Sequence, residues 1–413
     1  MPAPIPLTRT PAPSLDFSTP GTPSATDFDD IYFSVDGGLD EARAVFLAGC
    51  GLPERWRDRD VFTIAELGFG SGLNFLATLQ AWTASRAATA PGKRLHYISV
   101  EGFPFDADAL QRALSHFPEL SDFAAPMIAQ WPGPVRGLHR LHFGNVALTL
   151  IHDAVAPALM SQDFRADGWF LDGFSPAKNP LMWSATVMAE VARLSASGGR
   201  VGTFTVAGDV RRALSDVGFT VSKQPGFGRK RQRLEAIMPG APAPLPAPAL
   251  PTIIGDGIAG ASIARAFLRR GLTPTIIADP DHIAASGNGA ALIKPRFDLQ
   301  DNPASRFFLS SFLYARHAYA GAVRQEGLLH LHRSAKERER HQRLVDQEVM
   351  GPGHMHVDDA GVDLSSSLVI DTDAARRDFL ADLPVISRRI ETLDALDGPV
   401  ILACGYGIRT LLP

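Results

Sequence analysis

Three acidic residues stand where a cationic ligand would need them. Glu66-Leu-Gly68-Phe-Gly70-Ser-Gly72 follows an apolar run and precedes a helical one. Glycines let the backbone turn tightly and approach a ligand, and a helix start offers free N–H groups. A GxGxG alone is weak, because many glycine turns are only turns. The acid at its start, Glu66, suits the positive end of a ligand such as S-adenosylmethionine better than a pyrophosphate. Glu101 stands directly after the next apolar run, where a carboxylate can accept both hydroxyls of a ribose. Asp153, after the third run, is placed to meet an adenine amino group or, equally, to cap a helix.

A fourth run ends in Trp169-Phe-Leu-Asp172-Gly-Phe-Ser-Pro176-Ala-Lys178-Asn179-Pro180-Leu-Met-Trp183. Ligands of doubly wound sheets sit outside the C-terminal strand ends, so Asp172 is expected to face the cofactor crevice. The proline-rich loop would hold it rigidly and close over a substrate, with Phe174 or Trp183 stacked on a planar base and Lys178 and Asn179 beside them. Methyl transfer to an amine needs the neutral amine held in line with the methyl group. It also needs a carboxylate or carbonyl to orient the amine and take its proton. Asp172 is assigned that role; the alternative is that Asp172 and Asn179 cap turns. Between Thr205 and Arg233 stand seven basic residues (Arg211, Arg212, Lys223, Arg229, Lys230, Arg231, Arg233) against Asp209 and Asp216, a local net of +5. Such runs are usually solvated surface, but this one lies near the crevice and includes a glycine-rich, phosphate-gripping loop, Gly226–Arg231.

The elements that must position these residues are short apolar runs alternating with helices. Val61–Leu67, Leu95–Val100, Val146–Ile151, Gly168–Leu171 and Val201–Thr205 read as strands, with helices at Leu73–Trp82 and Ala185–Leu194. This alternation predicts a parallel sheet in an α/β fold. Phe219–Lys223 and Arg233–Met238 predict a closing antiparallel hairpin. A Pro/Ala segment at 239–251 favours a stiff, extended linker and separates residues 1–238 from 252–413. Residues 1–25, rich in Pro, Ser and Thr, are expected to form a loosely held arm, and the dense charge of Arg333–Arg343 reads as a solvated helix face.

Composition excludes several classes. The 413 residues are 45% hydrophobic and 20% charged, ordinary for a globular chain and unlike a disordered or collagenous one. A net charge of −4 means that a nucleic-acid partner needs a local basic patch rather than a whole-molecule field. Cys50 and Cys404 are too few for a disulfide framework or a cysteine zinc site, and no metal site is expected. The N-terminus lacks a signal-peptide pattern and no run is long enough to span a bilayer, so the expectation is a cytoplasmic protein without a membrane partner.

A second glycine-rich turn lies at Gly255-Asp-Gly257-Ile-Ala-Gly260, a GxGxxG between an apolar run and a helix. Asp279 follows at close to the spacing of a ribose-binding acid, so a dinucleotide site is expected, FAD and NAD being indistinguishable by this fingerprint.

Together these stretches resemble the MnmC family, the bifunctional proteins of tRNA 5-methylaminomethyl-2-thiouridine biosynthesis. The matching segments are Phe28–Ser34, ELGFGSGLNFLATLQAW (66–82), LHYISVEGFPF (95–105), WFLDGFSPAKNPLMW (169–183), TFTVAGDVRRAL (203–214) and GFGRKR (226–231). The resemblance implies a Rossmann-like methyltransferase domain at 1–238 and an FAD-binding Rossmann-type, D-amino-acid-oxidase-like domain at 252–413. It implies S-adenosylmethionine-dependent methylation of the aminomethyl group on the wobble uridine of tRNA. Glu66, Gly68, Gly70, Gly72, Glu101 and Asp153 would bind the methyl donor, Asp172 would face the substrate amine, and Asp29, Asp30 and Tyr32 would lie near the pocket. Ala285–Asn288 with Pro295 is similar to the family's flavin-contacting loop, which adds Ser286, Gly287 and Asn288 and decides for FAD. In the family this second domain oxidatively removes a carboxymethyl group from the uridine's amine. Val400–Pro413 resembles a strand-plus-glycine segment that precedes a later flavin segment of the family. The domain is therefore expected to be incomplete, with weak flavin binding and reduced or absent oxidase activity, or to serve instead as a tRNA- or partner-docking module. A methyltransferase for a small-molecule amine is the remaining reading.

Overall fold

The computed structural model describes residues 9–18, 22–33, 37–85, 92–228, 230–241, 249–282, 285–351 and 353–412. Eight strands form one sheet: Val61–Leu67 (β1), Arg94–Glu101 (β2), Gly137–Phe143 (β3), Val146–His152 (β4), Ala166–Leu171 (β5), Ser195–Thr203 (β6), Thr220–Pro225 (β7) and Gln232–Ile237 (β8). Their order is β7-β8-β6-β5-β1-β2-β4-β3. The five strands from β6 to β4 are parallel, β8 and β7 close one edge as an antiparallel hairpin, and β3 closes the other antiparallel to β4. Central strands covered on both faces read as unbroken apolar runs, and every residue of β5 is buried. Trp56, Trp82, Trp169, Phe75 and Phe170 fill the space on either side.

Chain order reverses at β1, whose neighbours are β5 and β2. Such a switch point opens a crevice at the C-terminal strand ends. The turn after β1 leads into helix α1 (Leu73–Ala84), which starts at Gly72 in the left-handed region.

The expected strands and closing hairpin are present. β3 was not anticipated, because Leu-His-Arg-Leu-His-Phe breaks the apolar pattern; His139 is nevertheless buried, with Nε2 2.7 Å from the Val135 carbonyl. The expectation of a loose N-terminal arm fails for much of its length. Leu15–Asp16, Ser24–Ala25 and Asp30–Ile31 pair as a small antiparallel sheet. Thr10 also donates to the Pro134 carbonyl from N at 2.8 Å and from Oγ1 at 2.9 Å. Proline removes one donor but leaves neighbouring N–H and carbonyl groups free to pair. Residues 1–8 and 19–21 lie outside the described residues, as do 242–248 of the expected linker.

The chain divides into two compact units, 1–244 with 298–310 and 347–351, and 245–297 with 311–346 and 352–413. Two short segments of the second half thus belong with the first unit. In the second unit, Thr252–Ile254 (β9), Thr275–Ala278 (β10), Val385–Ser387 (β11) and Val400–Leu402 (β12) form a parallel sheet in the order β11-β10-β9-β12. Helix α2 (Ile258–Leu268) follows β9. Residues 291–370 also supply two three-stranded antiparallel sheets, whose strands of three or four residues are too short for alternation to show in sequence.

The GxGxxG turn has the geometry that its glycines require. Gly255 sits at φ +105°, and a Cβ on Gly260 would lie 1.9 Å from the Gly255 carbonyl oxygen, so α2 packs directly on the end of β9. Gly260→Val is expected to force the helix from the strand and destabilise the second unit by about 1–3 kcal/mol or more. Urea titration of the full chain should show an earlier first transition; an unchanged profile would refute the close approach.

Candidate active site

The first turn places its acids as its spacing predicted. Gly68, Gly70 and Gly72 have φ of +82°, +53° and +78°, and a Cβ on Gly68 would lie 3.0 Å from Gly173 Cα, which ties this turn to the loop after β5. Glu101, at the end of β2, accepts from Gly70 N and from Phe103 N, each at 2.8 Å. The Gly102 and Phe69 N–H groups also act on this carboxylate. Burial raises the Glu101 carboxyl above its ordinary range, and those backbone N–H groups oppose the shift.

Glu66, in β1, accepts from Ser99 Oγ of the adjacent strand at 2.7 Å and from Asn74 Nδ2 at 3.0 Å. The same Asn74 nitrogen donates to Asp172 Oδ2 at 2.8 Å, while Asp172 Oδ1 accepts from Gly173 N at 2.8 Å. One amide NH2 therefore joins the two carboxylates, and the reverse orientation would set its oxygen against both. Burial pushes the Glu66 carboxyl up to about 8, aided by the charge of Asp172 and opposed by Ser99 and Asn74. Burial likewise pushes Asp172 up to about 6, with Gly173 and Asn74 pulling the other way. Asn74 was missed from sequence. Its only signal was one polar residue in the otherwise apolar first turn of α1.

An aromatic wall adjoins the turn. Phe28 stacks on Phe174 with centroids 4.5 Å apart and meets Phe103 edge-on at 5.3 Å. Tyr32 lies edge-on to Phe105 at 4.6 Å and to Phe174 at 5.2 Å, and a Cβ on Gly70 would come within 3.1 Å of its ring. Asp30 Oδ2 accepts from Ser175 N at 2.9 Å, and Lys178 bonds the Asp29 carbonyl, so this N-terminal segment is fastened to the loop after β5. Asn179 lies in that loop, its amide 3.8 Å from the Met182 sulfur.

Some expected roles are not what these side chains do. Trp183 is buried at 8% exposure, and its indole N–H donates to the Phe174 carbonyl at 3.0 Å, so it supports the loop instead of stacking on a substrate. Asp153 caps no helix. Its Oδ2 accepts from Arg306 at 2.8 Å and its Oδ1 lies 3.8 Å from Arg136, both residues of the same unit. Lys230 is paired with Glu41 at 2.8 Å, Arg212 with Asp209, and Arg233 with Glu235 at 2.6 Å. Three of the seven cations are thus neutralised by acids, one of them distant in sequence. Arg211, Lys223 and Arg231 are exposed with no ion pair among the described residues, and Arg229 lies outside those residues.

In the second unit, Gly257 precedes α2 with no side-chain cap, and Ser286 Oγ accepts from Ile258 N at 3.0 Å. The 285–288 loop is thereby brought to the helix start, with Gly287 in its short 3-10 turn and the Asn288 carbonyl bonded by Thr372. Asp279, after β10, accepts from Asp281 N at 3.0 Å and lies 4.0 Å from Arg389. The cradle fits a dinucleotide: a glycine turn at a helix start, whose one side chain, Asp256, is drawn to Arg376 at 2.7 Å, and an acid after the next strand.

Fold and sites thus define a doubly wound methyltransferase-type unit joined to a dinucleotide-binding unit. Comparison with known proteins agrees. Residues 118–239 match the family described as S-adenosyl-L-methionine-dependent methyltransferase, and 252–379 match FAD dependent oxidoreductase. The chain is 45% identical over 354 residues to the tRNA 5-methylaminomethyl-2-thiouridine biosynthesis bifunctional protein MnmC of Caulobacter vibrioides, covering 84% of this chain and 59% of the relative. The protein of the same name from Azoarcus sp. is 43% identical, with 84% and 56% covered. A crystal structure of MNMC2 from Aquifex aeolicus aligns with a TM-score of 0.44 and 23% identity, over 55% of this chain and 69% of that one. The chain is similar to these MnmC proteins over most of its own length, and it spans somewhat more than half the length of these curated relatives.

The raised carboxyls make stability depend on pH. Glu66 titrates near 8 in the fold and near 4.5 unfolded, so the folded state holds the extra proton between those values. Stability is then greatest at the acid end of that window and falls as pH rises through about 8. Glu66→Gln is expected to flatten this fall, read as melting temperature against pH for ligand-free protein; an unchanged slope would refute the shift.

Proposed function

We propose that the first unit methylates the amino nitrogen of 5-aminomethyl-2-thiouridine at the wobble position of tRNA, with S-adenosylmethionine as donor, and that the second unit binds FAD for oxidative removal of the carboxymethyl group from the same base. The observation that carries the methyltransferase reading is the cluster of Glu66, Glu101 and Asp172 around one glycine turn, none ion-paired among the described residues. Buried acids without a cation suit a ligand that brings its own positive charge.

S-adenosylmethionine supplies a methyl group activated by a sulfonium. Glu101, held at the end of β2 by backbone N–H groups, accepts the ribose hydroxyls, and Glu66 faces the cationic end. Asp172, oriented by Gly173 N–H and Asn74, accepts a hydrogen bond from the substrate amine and then the proton that nitrogen must lose. A carboxyl near 6 is mostly ionised at neutral pH yet basic enough for that task. Phe28, Tyr32 and Phe174 form the apolar wall beside the uracil ring, while Asp29, Asp30, Lys178 and Asn179 keep that wall in place. Arg211, Lys223 and Arg231 supply the free charge for the tRNA backbone.

In the second unit, Gly255, Gly257 and Gly260 admit the pyrophosphate to the start of α2. Asp279 holds the ribose, and Ser286–Asn288 line the flavin side. Bound flavin would accept the electrons of amine oxidation. The relatives' names, which specify bifunctional tRNA modification, support both halves. No described helix is long and apolar enough to cross a membrane; the tRNA substrate of this reading supports a cytoplasmic activity.

The test is transfer of labelled methyl from S-adenosylmethionine to tRNA bearing 5-aminomethyl-2-thiouridine. Asp172→Asn is expected to slow transfer by roughly 100-fold or more while donor binding persists; undiminished turnover would overturn its role, and no transfer by the unaltered chain would overturn the reading. Arg211→Glu with Arg231→Glu should weaken tRNA binding and flatten its salt dependence by about one log unit per lost phosphate contact. Unchanged binding would assign the tRNA contact elsewhere.

A further inference from the structure

The run Arg333–Arg343, expected to be a solvated face, turns one side inward. Helix α3 (Ala335–Asp346) buries His341 and Leu344, and His341 meets histidines of the preceding segment. We propose that His330, Glu337 and His341 form a binding site for a divalent transition metal of the zinc type.

Three observations carry the site. One ligand atom from each of the three residues lies within 4.8 Å of the others. Glu337 and His341 are one helical turn apart on α3, and His330 comes from the strand Leu329–Leu331, so two separate elements converge. His330 Nε2 and Glu337 Oε1 stand 3.8 Å apart, too far for a hydrogen bond and suited to two ligands of one ion.

The outer contacts orient these ligands. Glu337 Oε2 accepts from Arg333 N at 2.8 Å, leaving Oε1 for the site. His332 Nε2 lies 3.2 Å from the Asp358 carbonyl, which requires the proton on that nitrogen. His332 Nδ1 is then an acceptor, and the 3.1 Å contact to His341 Nδ1 requires the proton on His341 Nδ1. That chain of tautomers leaves the lone pair of His341 on Nε2. A histidine ligand held through its other ring nitrogen is the usual second-shell device at metal sites. Burial keeps His330 and His341 below the ordinary imidazole value, and the Arg333 N–H keeps Glu337 ionised, so all three donors are ready. Two imidazoles and a carboxylate suit zinc and leave a fourth position for water. Lys294, Arg333 and Arg340 add positive charge nearby, which moderates the affinity.

The test uses the full chain, stripped by a chelator and titrated with Zn2+ by calorimetry and with Co2+ by visible absorption. One Zn2+ per chain is expected, with Co2+ bands of a low-coordinate site. His330→Ala and Glu337→Gln, at partly exposed positions that tolerate change, should each weaken binding at least tenfold. His332→Ala should weaken it by about tenfold through loss of the orienting bond, and the exposed His116→Ala should leave it unchanged. Circular dichroism checks that each variant is folded. Failure of the wild-type chain to bind Zn2+, affinity within twofold of wild type in His330→Ala and Glu337→Gln, or equal loss in His116→Ala would overturn the proposal.

Discussion

The amide of Asn74 holds together what electrostatics would separate. Glu66 and Asp172 stand at the ends of adjacent strands in a region largely closed to water, where burial and the charge of Asp172 keep a proton on Glu66 up to about pH 8. A single NH2 group has two protons, and here each goes to a different carboxylate. The arrangement needs β1 and β5 to be neighbours, which the parallel order provides, and needs α1 to begin close to both strand ends. The glycine turn meets that second need by reversing the chain within five residues.

Around this clamp the supports are backbone groups more than charges. Gly70 and Phe103 N–H groups hold Glu101, Gly173 N–H holds Asp172, and Ser175 N–H holds Asp30. Backbone donors fixed by a turn need little rearrangement when a ligand arrives. Trp183 and the Phe28–Phe174 stack keep the loop after β5 against this framework. The acids are thus left oriented but uncompensated, which favours a cationic ligand.

Much of the architecture was legible because it rests on local pattern. The parallel strands, the closing hairpin and both glycine turns follow from apolar runs and from spacings that tolerate few alternatives. β3 escaped because histidine and arginine interrupt its alternation, yet hydrogen bonding to β4 and burial of His139 outweigh that pattern. The N-terminal segment escaped because proline content says nothing about pairing with strands that arrive from elsewhere. The small sheets of the second unit escaped because three residues carry too little periodicity.

The site residues divide along the same line. Glu66, Glu101 and Asp172 stand out in the sequence because each lies at or next to the end of an apolar strand run, and strand ends are visible in sequence. Their partners were not. Asn74 as a bridge, Arg306 on Asp153, Glu41 on Lys230, and the convergence of His330, Glu337 and His341 all join residues whose proximity the chain order does not reveal. Sequence alone determined which chemical groups stand at the strand ends and around the glycine turns, because both depend on short-range backbone rules. Only the tertiary structure decided which of those groups are paired, buried or left free, because charge compensation and desolvation depend on distances between residues far apart in the chain.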